Sequence, residues 1–445
     1  MNENLWEAYV PDTKNPWDLR LVVHLHRRAA LGATWAEAER DLKEGPVPSV
    51  DRLLGGSSAM RVEKDFEDTS ALLFDTAATQ SEIGRLKAAW FHRFLFGPDP
   101  LREKLTLLWH DHFATANSKV DDVALMRRQN DTLRKQANGK FAELLHAALR
   151  EPALLIFLDS QTNRKGHPNE NLARELMELF TLGLGRYGEE DVKEAARALT
   201  GWSVQDGQFV QIADLHDEGE KSIFGKKAKF DGQKLLSLLL ARPEVAERIA
   251  FKLIREFFGE QGVSLEAKKQ LCIQLRETDL DIAHAVTTIL RSRLFFDSAN
   301  IGSRVLSPVE FVVGAARRLE MFDPAPSTLV MAEWSARMGQ DLFDPPNVAG
   351  WKGGRNWINS RSLIARANYA TALVSGPNVG RSSPYDPSAL AKKYGLGGRP
   401  ADLLVFHHRL FYGTDPDPEL SKRLGALDGP KMVGALLSSP ESHRG

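Results

Sequence analysis

The sequence predicts a mainly α protein, a large multi-helix domain interrupted by a small β-hairpin or irregular excursion around residues 202-232. Three observations carry that prediction. Apolar residues recur every three to four positions through most of the 445 residues. Gly97-Pro98, Gly45-Pro46 and the glycines at 32, 183 and 201 punctuate that pattern where helices should end. Alternation with a period of two is confined to Trp202 to Asp231, where short runs such as Phe209-Val210-Gln211-Ile212 sit among glycines and charges.

Taken in order, Trp17 to Leu31 reads as a helix stopped by Gly32, and Thr34 caps a second from Trp35 to Glu44. Glu63 to Phe96 is one long helix or two, closed by Gly97. Leu101 to Ala116, Val120 to Gly139 and Phe141 to Arg150 follow, the last ending before Pro152. Asn169 to Leu182 and Glu189 to Leu199 flank the glycine turn at 183–188. After the excursion, helices are expected at Gln233 to Leu240, Glu244 to Gly259, Leu265 to Thr278, Ile282 to Ser292 and Pro308 to Glu320. Asp344 to Asn359 carries two prolines, three glycines and two tryptophans, and so must be a loop of defined shape. Ser362 to Ser375, Asp402 to Leu410 and Leu420 to Ser438 complete the set. The Ser375 to Ser388 joint divides a main domain, 1-375, from a carboxy-terminal helical extension, 376-445, expected to pack on it.

Composition bounds the function. Lys plus Arg is 58 and Asp plus Glu is 59, so no global basic field exists to hold nucleic acid. A single cysteine, Cys272, excludes an internal disulfide framework. No apolar stretch approaches the roughly 18 residues of a membrane span, and no basic segment followed by an apolar run opens the chain. A cytoplasmic location is the resulting expectation. Gly183 to Gly188 matches G-x-G-x-x-G but follows a helix, so no nicotinamide, flavin or nucleotide signature is present.

The chemistry-bearing residues concentrate between His110 and Lys221. On a helical projection of Asn169 to Phe180, Asn171, Glu175 and Glu178 form a row opposite the apolar arc, with Glu175 at its half-buried edge. Glu170 and Arg174, and Arg174 and Glu178, are spaced for surface ion pairs, the structural alternative. His110 and His112 point about 160° apart on a helix, which is not a chelating arrangement. His216, Asp217 and Lys221 lie in the excursion, where core packing explains them poorly. Trp351 and Trp357 flank Gly353-Gly354-Arg355, as exposed rings stacking on a ligand or as anchors pinning the loop.

The segments HLHRRAALGAT (residues 24–34), LTLLWHDHFA (105–114), FLDS (157–160), PNENLARELMELFTLGLGRYGEEDVKEAARALTGW (168–202), the His216, Asp217 and Lys221 group and NVAGWKGGRNWIN (347–359) together resemble the bacterial domain-of-unknown-function family numbered 1800, DUF1800. The resemblance runs to about Arg366 and implies no activity. Many of its members look exported, with a leader that does not precede these motifs here. It selects the residues flagged above and lowers the surface reading of Glu170, Glu175, Glu178 and His216.

Two functions are weighed. The first is a metal-assisted hydrolase or related transferase. Glu175, Glu178, His216 and Asp217 would be its catalytic groups, and His110, His112, Glu175 and His216 the ligands of a divalent metal. Asn169, Asn171, Lys221, Trp351 and Trp357 would bind a small-molecule, peptide or glycan ligand. The second is a non-catalytic binding or assembly protein whose central polar residues form a buried network.

Overall fold

The computed structural model describes residues 4–55 and 64–445. It is 61% helical, and the only sheets among the described residues are two small antiparallel pairs. The mainly α reading is borne out. The expected helix start at Glu63 lies outside the described residues, and the run it opens is two helices, Lys64–Thr79 and Ile83–Phe96.

Two helices form the spine. Pro308–Arg318 is buried at all eleven positions, and Pro100–His112 at ten of its thirteen. A helix without a solvent face must pair its charges internally. Glu103 accepts from Trp90 Nε1 at 2.9 Å, Arg93 at 2.8 Å and Arg134 at 2.9 Å, and these cations hold its carboxyl down at about 2 against the opposing effect of burial. Lys104 pairs with Glu310, and with Glu256 at 2.7 Å. One apolar cluster packs Leu105, Leu108 and Trp109 against Phe141, Leu176 and Phe257. The other joins Leu107 to Trp90, Phe311, Phe343 and the later helices as far as Leu437. The segment after residue 375 therefore shares a core with the rest, and Gly434 brings Gly429–Leu437 against Val374 of Ser360–Ser375.

Three departures from the sequence reading have local causes. Pro46 and Pro152 begin the helices Pro46–Gly55 and Pro152–Phe157 rather than merely ending their predecessors, because a first-turn proline loses no intrahelical hydrogen bond. The excursion is two hairpins, Trp202–Gln205 with Gln208–Gln211 and Lys221–Ile223 with Lys226–Ala228. Asn169 to Leu182 is not a uniform α-helix: Asn171–Glu175 is α, and Leu176–Thr181 widens into a π-helix.

Candidate functional site

The π-helix ends with carbonyls that no following turn satisfies, and two sequence-distant side chains cap them. His112 Nε2 donates to Phe180 O at 3.1 Å, and Arg248 Nε donates to Leu179 O at 3.0 Å. His110 works in the opposite sense, its Nε2 accepting from the Phe343 N–H at 3.1 Å. Both rings are buried among aromatic side chains. Burial pushes His110 down to about 3 and holds His112 well below the usual imidazole range, with Lys252 and Arg248 adding to the effect on His112. Each of these rings, expected as metal ligands, commits one nitrogen to the fold, and His112 Nδ1 has no hydrogen-bond partner among the described residues.

The His216 group is also structural in its contacts. His216 Nδ1 donates to Thr200 O at 2.9 Å, and Asp217 receives Arg197 Nε at 2.8 Å and the Gly219 N–H at 2.8 Å. Arg197 and those hydrogen bonds lower the Asp217 carboxyl. Lys221, expected to orient substrate, is 1% exposed and donates to the carbonyls of Asp217 and Gly219. The excursion is thus tied to the helix Glu189–Ala198, with Lys221 a buried anchor within it.

Asn169 and Asn171 belong to a turn network. Asn169 accepts from Asn171 N–H at 2.9 Å and donates to Thr162 Oγ1 at 2.7 Å, while Asn171 reaches Asp159 at 3.4 Å. Arg174 pairs with Glu170 at 2.9 Å and Glu189 at 2.7 Å. Glu178 accepts from the Tyr187 hydroxyl, which burial and this bond push up to about 12. Glu175 is half-buried and makes no hydrogen bond or ion pair among the described residues; burial and the neighbouring Glu178 raise its carboxyl. The proposed ligand set, His110, His112, Glu175 and His216, is not assembled: among the described residues no three His, Cys, Asp or Glu side chains are placed to hold a metal ion.

A different site is assembled, at a cavity of about 730 Å³. Its walls are Pro100–His112 (Asp111), Pro243–Phe258 (Arg248, Lys252, Arg255), residues 303–310 and the loop 347–357. Asp111 Oδ1 accepts the Trp351 N–H at 2.8 Å, and Glu260 accepts the Arg355 N–H at 3.2 Å, so two carboxylates pin the loop. The loop's glycines follow from those contacts. A Cβ at Gly350, with φ +77°, would lie 2.3 Å from Asp111 Oδ1, and one at Gly354, with φ +56°, would lie 2.2 Å from Glu260 Oε1. Of the two readings of Trp351 and Trp357, exposed stacking rings or anchors pinning the loop, their exposure of 9% and 8% favours the anchors, although both border the cavity.

The cavity's charge is unbalanced. Eight Lys and Arg side chains line it against four carboxylates. Glu310 and Glu256 compensate Lys104 and Arg304, Glu260 compensates Arg355 at 3.3 Å, and Asp111 faces Lys252 at 3.4 Å. Arg248, Arg255, Lys352 and Arg444 make no ion pair among the described residues; Asp111 and Glu178 act on Arg248 at longer range, and Lys352 and Arg444 are exposed. Burial lowers both the Lys252 ammonium and the Arg248 guanidinium, and Arg248 further depresses Lys252. Such crowding is unfavourable without a counter-charge.

Sequence reasoning missed Arg248, Lys252, Arg255 and Asp111. The signal was a cationic row at i, i+4 and i+7 in the helix AERIAFKLIREFF, which alone reads as an ordinary solvated face. Segments that carry the family resemblance meet here: Asp111 of LTLLWHDHFA, Leu179 of the central motif and the loop NVAGWKGGRNWIN line the cavity, and Arg28 of HLHRRAALGAT bonds Ser303 at its edge. The sequence model described as Protein of unknown function (DUF1800) matches residues 24–443. No curated protein and no solved structure matches the chain.

Proposed function

This chain belongs to the DUF1800 family, and from that premise we propose that it binds an organic anion in the cavity between Pro243–Phe258 and the loop 347–357. The observation that carries the reading is the row Arg248, Lys252 and Arg255 on one helix, in which neither arginine makes an ion pair among the described residues and burial and both arginines depress the Lys252 ammonium. A bound oxyanion restores the missing counter-charge, and arginine forks suit carboxylate, phosphate or sulfate alike. Asn347, Asn356 and Gln261 add amide groups to the lining.

Titration calorimetry with inorganic phosphate at low ionic strength tests it. Saturable binding is expected, weakening as salt rises, and Arg255→Met or Lys252→Met should weaken it at least tenfold. Absence of saturable binding by the unaltered protein would overturn the reading.

A hydrolase or transferase acting at the same cavity is the second reading, favoured by Lys252 and Asp111. A buried ammonium held 3.4 Å from a carboxylate is poised to pass a proton, provided the ligand places its reacting atom between them. No step in this reading passes through a divalent metal. Its check is a pH–rate profile on phosphomonoesters and carboxylic esters, in which Asp111→Asn must abolish turnover.

A further inference from the structure

Phe251 is 41% exposed, although it stands on Pro243–Phe258 between Arg248 and Lys252. It lies three residues after Arg248 and four before Arg255, so its ring emerges on the cationic face, away from the buried stripe of Ile249, Leu253 and Phe257. The same ring borders a second hollow of about 430 Å³, lined on its far side by Ile254, Val263 and Lys268. The two hollows share Phe251, Arg255, Gly259, Glu260 and Gln261 and so adjoin along this edge of Pro243–Phe258, the second adding the apolar side chains of Ile254 and Val263. The Lys268 ammonium stands over the Phe251 ring, 5.8 Å from its centre.

We infer that the ligand is a soluble organic anion bearing a compact apolar substituent, aryl or short alkyl, whose oxyanion sits among Arg248, Lys252 and Arg255 while the substituent covers Phe251. This rests on the anion-binding reading and adds the substrate class. The commitment to one occupant comes from continuity and charge. Phe251 and Arg255 border both hollows, one turn apart on the same helix, so an anionic group anchored at Arg255 holds a directly attached ring beside Phe251. A free inorganic anion would leave Phe251 exposed; a neutral hydrocarbon would leave the cations uncompensated.

The test compares phenyl phosphate with inorganic phosphate by calorimetry, on the unaltered protein and on Phe251→Ala. Phe251 is largely outside the core, so the variant should fold. Phenyl phosphate should bind at least tenfold more tightly than inorganic phosphate. Phe251→Ala should remove most of that advantage and leave inorganic phosphate within twofold. Equal affinity of the two anions for the unaltered protein overturns the apolar contact and leaves the anion site standing. Failure of both to bind overturns both proposals. An equal loss for both anions in Phe251→Ala overturns the inference, because it marks a general disturbance of the helix.

Discussion

His110 and His112 are two residues apart on one helix and carry their protons on different nitrogens. His110 presents a bare Nε2 to the Phe343 N–H, while His112 presents Nε2–H to Phe180 O. Long-range proton–nitrogen spectra should therefore show the Nδ1–H form for His110 and the Nε2–H form for His112, with neither titrating between pH 5 and 8. Lys221 and Lys252 make a second contrast. Lys221→Met should cost about 2 kcal/mol or more in chemical denaturation, since it strands the Asp217 and Gly219 carbonyls, and should leave anion binding unchanged. Lys252→Met should do the reverse. In the sequence the two lysines are alike, each a few residues from chemistry-bearing partners. Which one faces a cavity depends on contacts that no local pattern encodes. Cys272 is half-buried, and burial pushes its thiol up to about 11.

Helices were legible in the sequence wherever an apolar stripe repeated, because burial of one face is a local demand on spacing. Their internal geometry was not. The π-helix Leu176–Thr181 keeps its periodicity within a residue, so the widening leaves no mark in the pattern, yet it sets the carbonyls that Arg248 and His112 cap. Thr181 supports it by donating to Leu176 O at 2.6 Å from a fully buried site. Thr181→Val should lower stability by about 1–2 kcal/mol, read as a shifted denaturant midpoint. The loop 347–357 was recognised as shaped, but its partners, Asp111 and Glu260, lie far away in the chain. Gly350→Ala should weaken phosphate binding several-fold, because its Cβ must displace the loop from Asp111. A melting temperature that fell while affinity held would contradict this.

Across the whole molecule, five histidines are buried with their basicity suppressed chiefly by desolvation. His24 and His112 lie well below the ordinary value, His110 at about 3, and His407 and His443 at about 4. The unfolded chain protonates such groups near pH 6.5, so below that pH it binds more protons than the native state. Stability from these groups is complete above about pH 6.5 and drains away as pH falls towards about 4. Unfolding below about pH 6.5 therefore takes up protons onto these rings, so stability falls as the pH falls. Equilibrium unfolding, followed by circular dichroism, is expected as the pH drops from about 6.5 towards about 4. A midpoint below pH 4 would contradict it. The mainly α class followed from the sequence by periodicity alone, while the convergence of segments 240 residues apart, Asp111 with Trp351, did not.

That last contact joins the first half of the chain to its final quarter, so the cavity needs both to be folded together. A ligand that fits can find only finished copies, and its occupancy is a census of complete folding. At a concentration a hundredfold above its Kd such a ligand adds about 2.7 kcal/mol to the native state. Compound collections can therefore be screened by the heat each confers, with the Phe251→Ala protein run alongside to single out the compounds that fill both hollows.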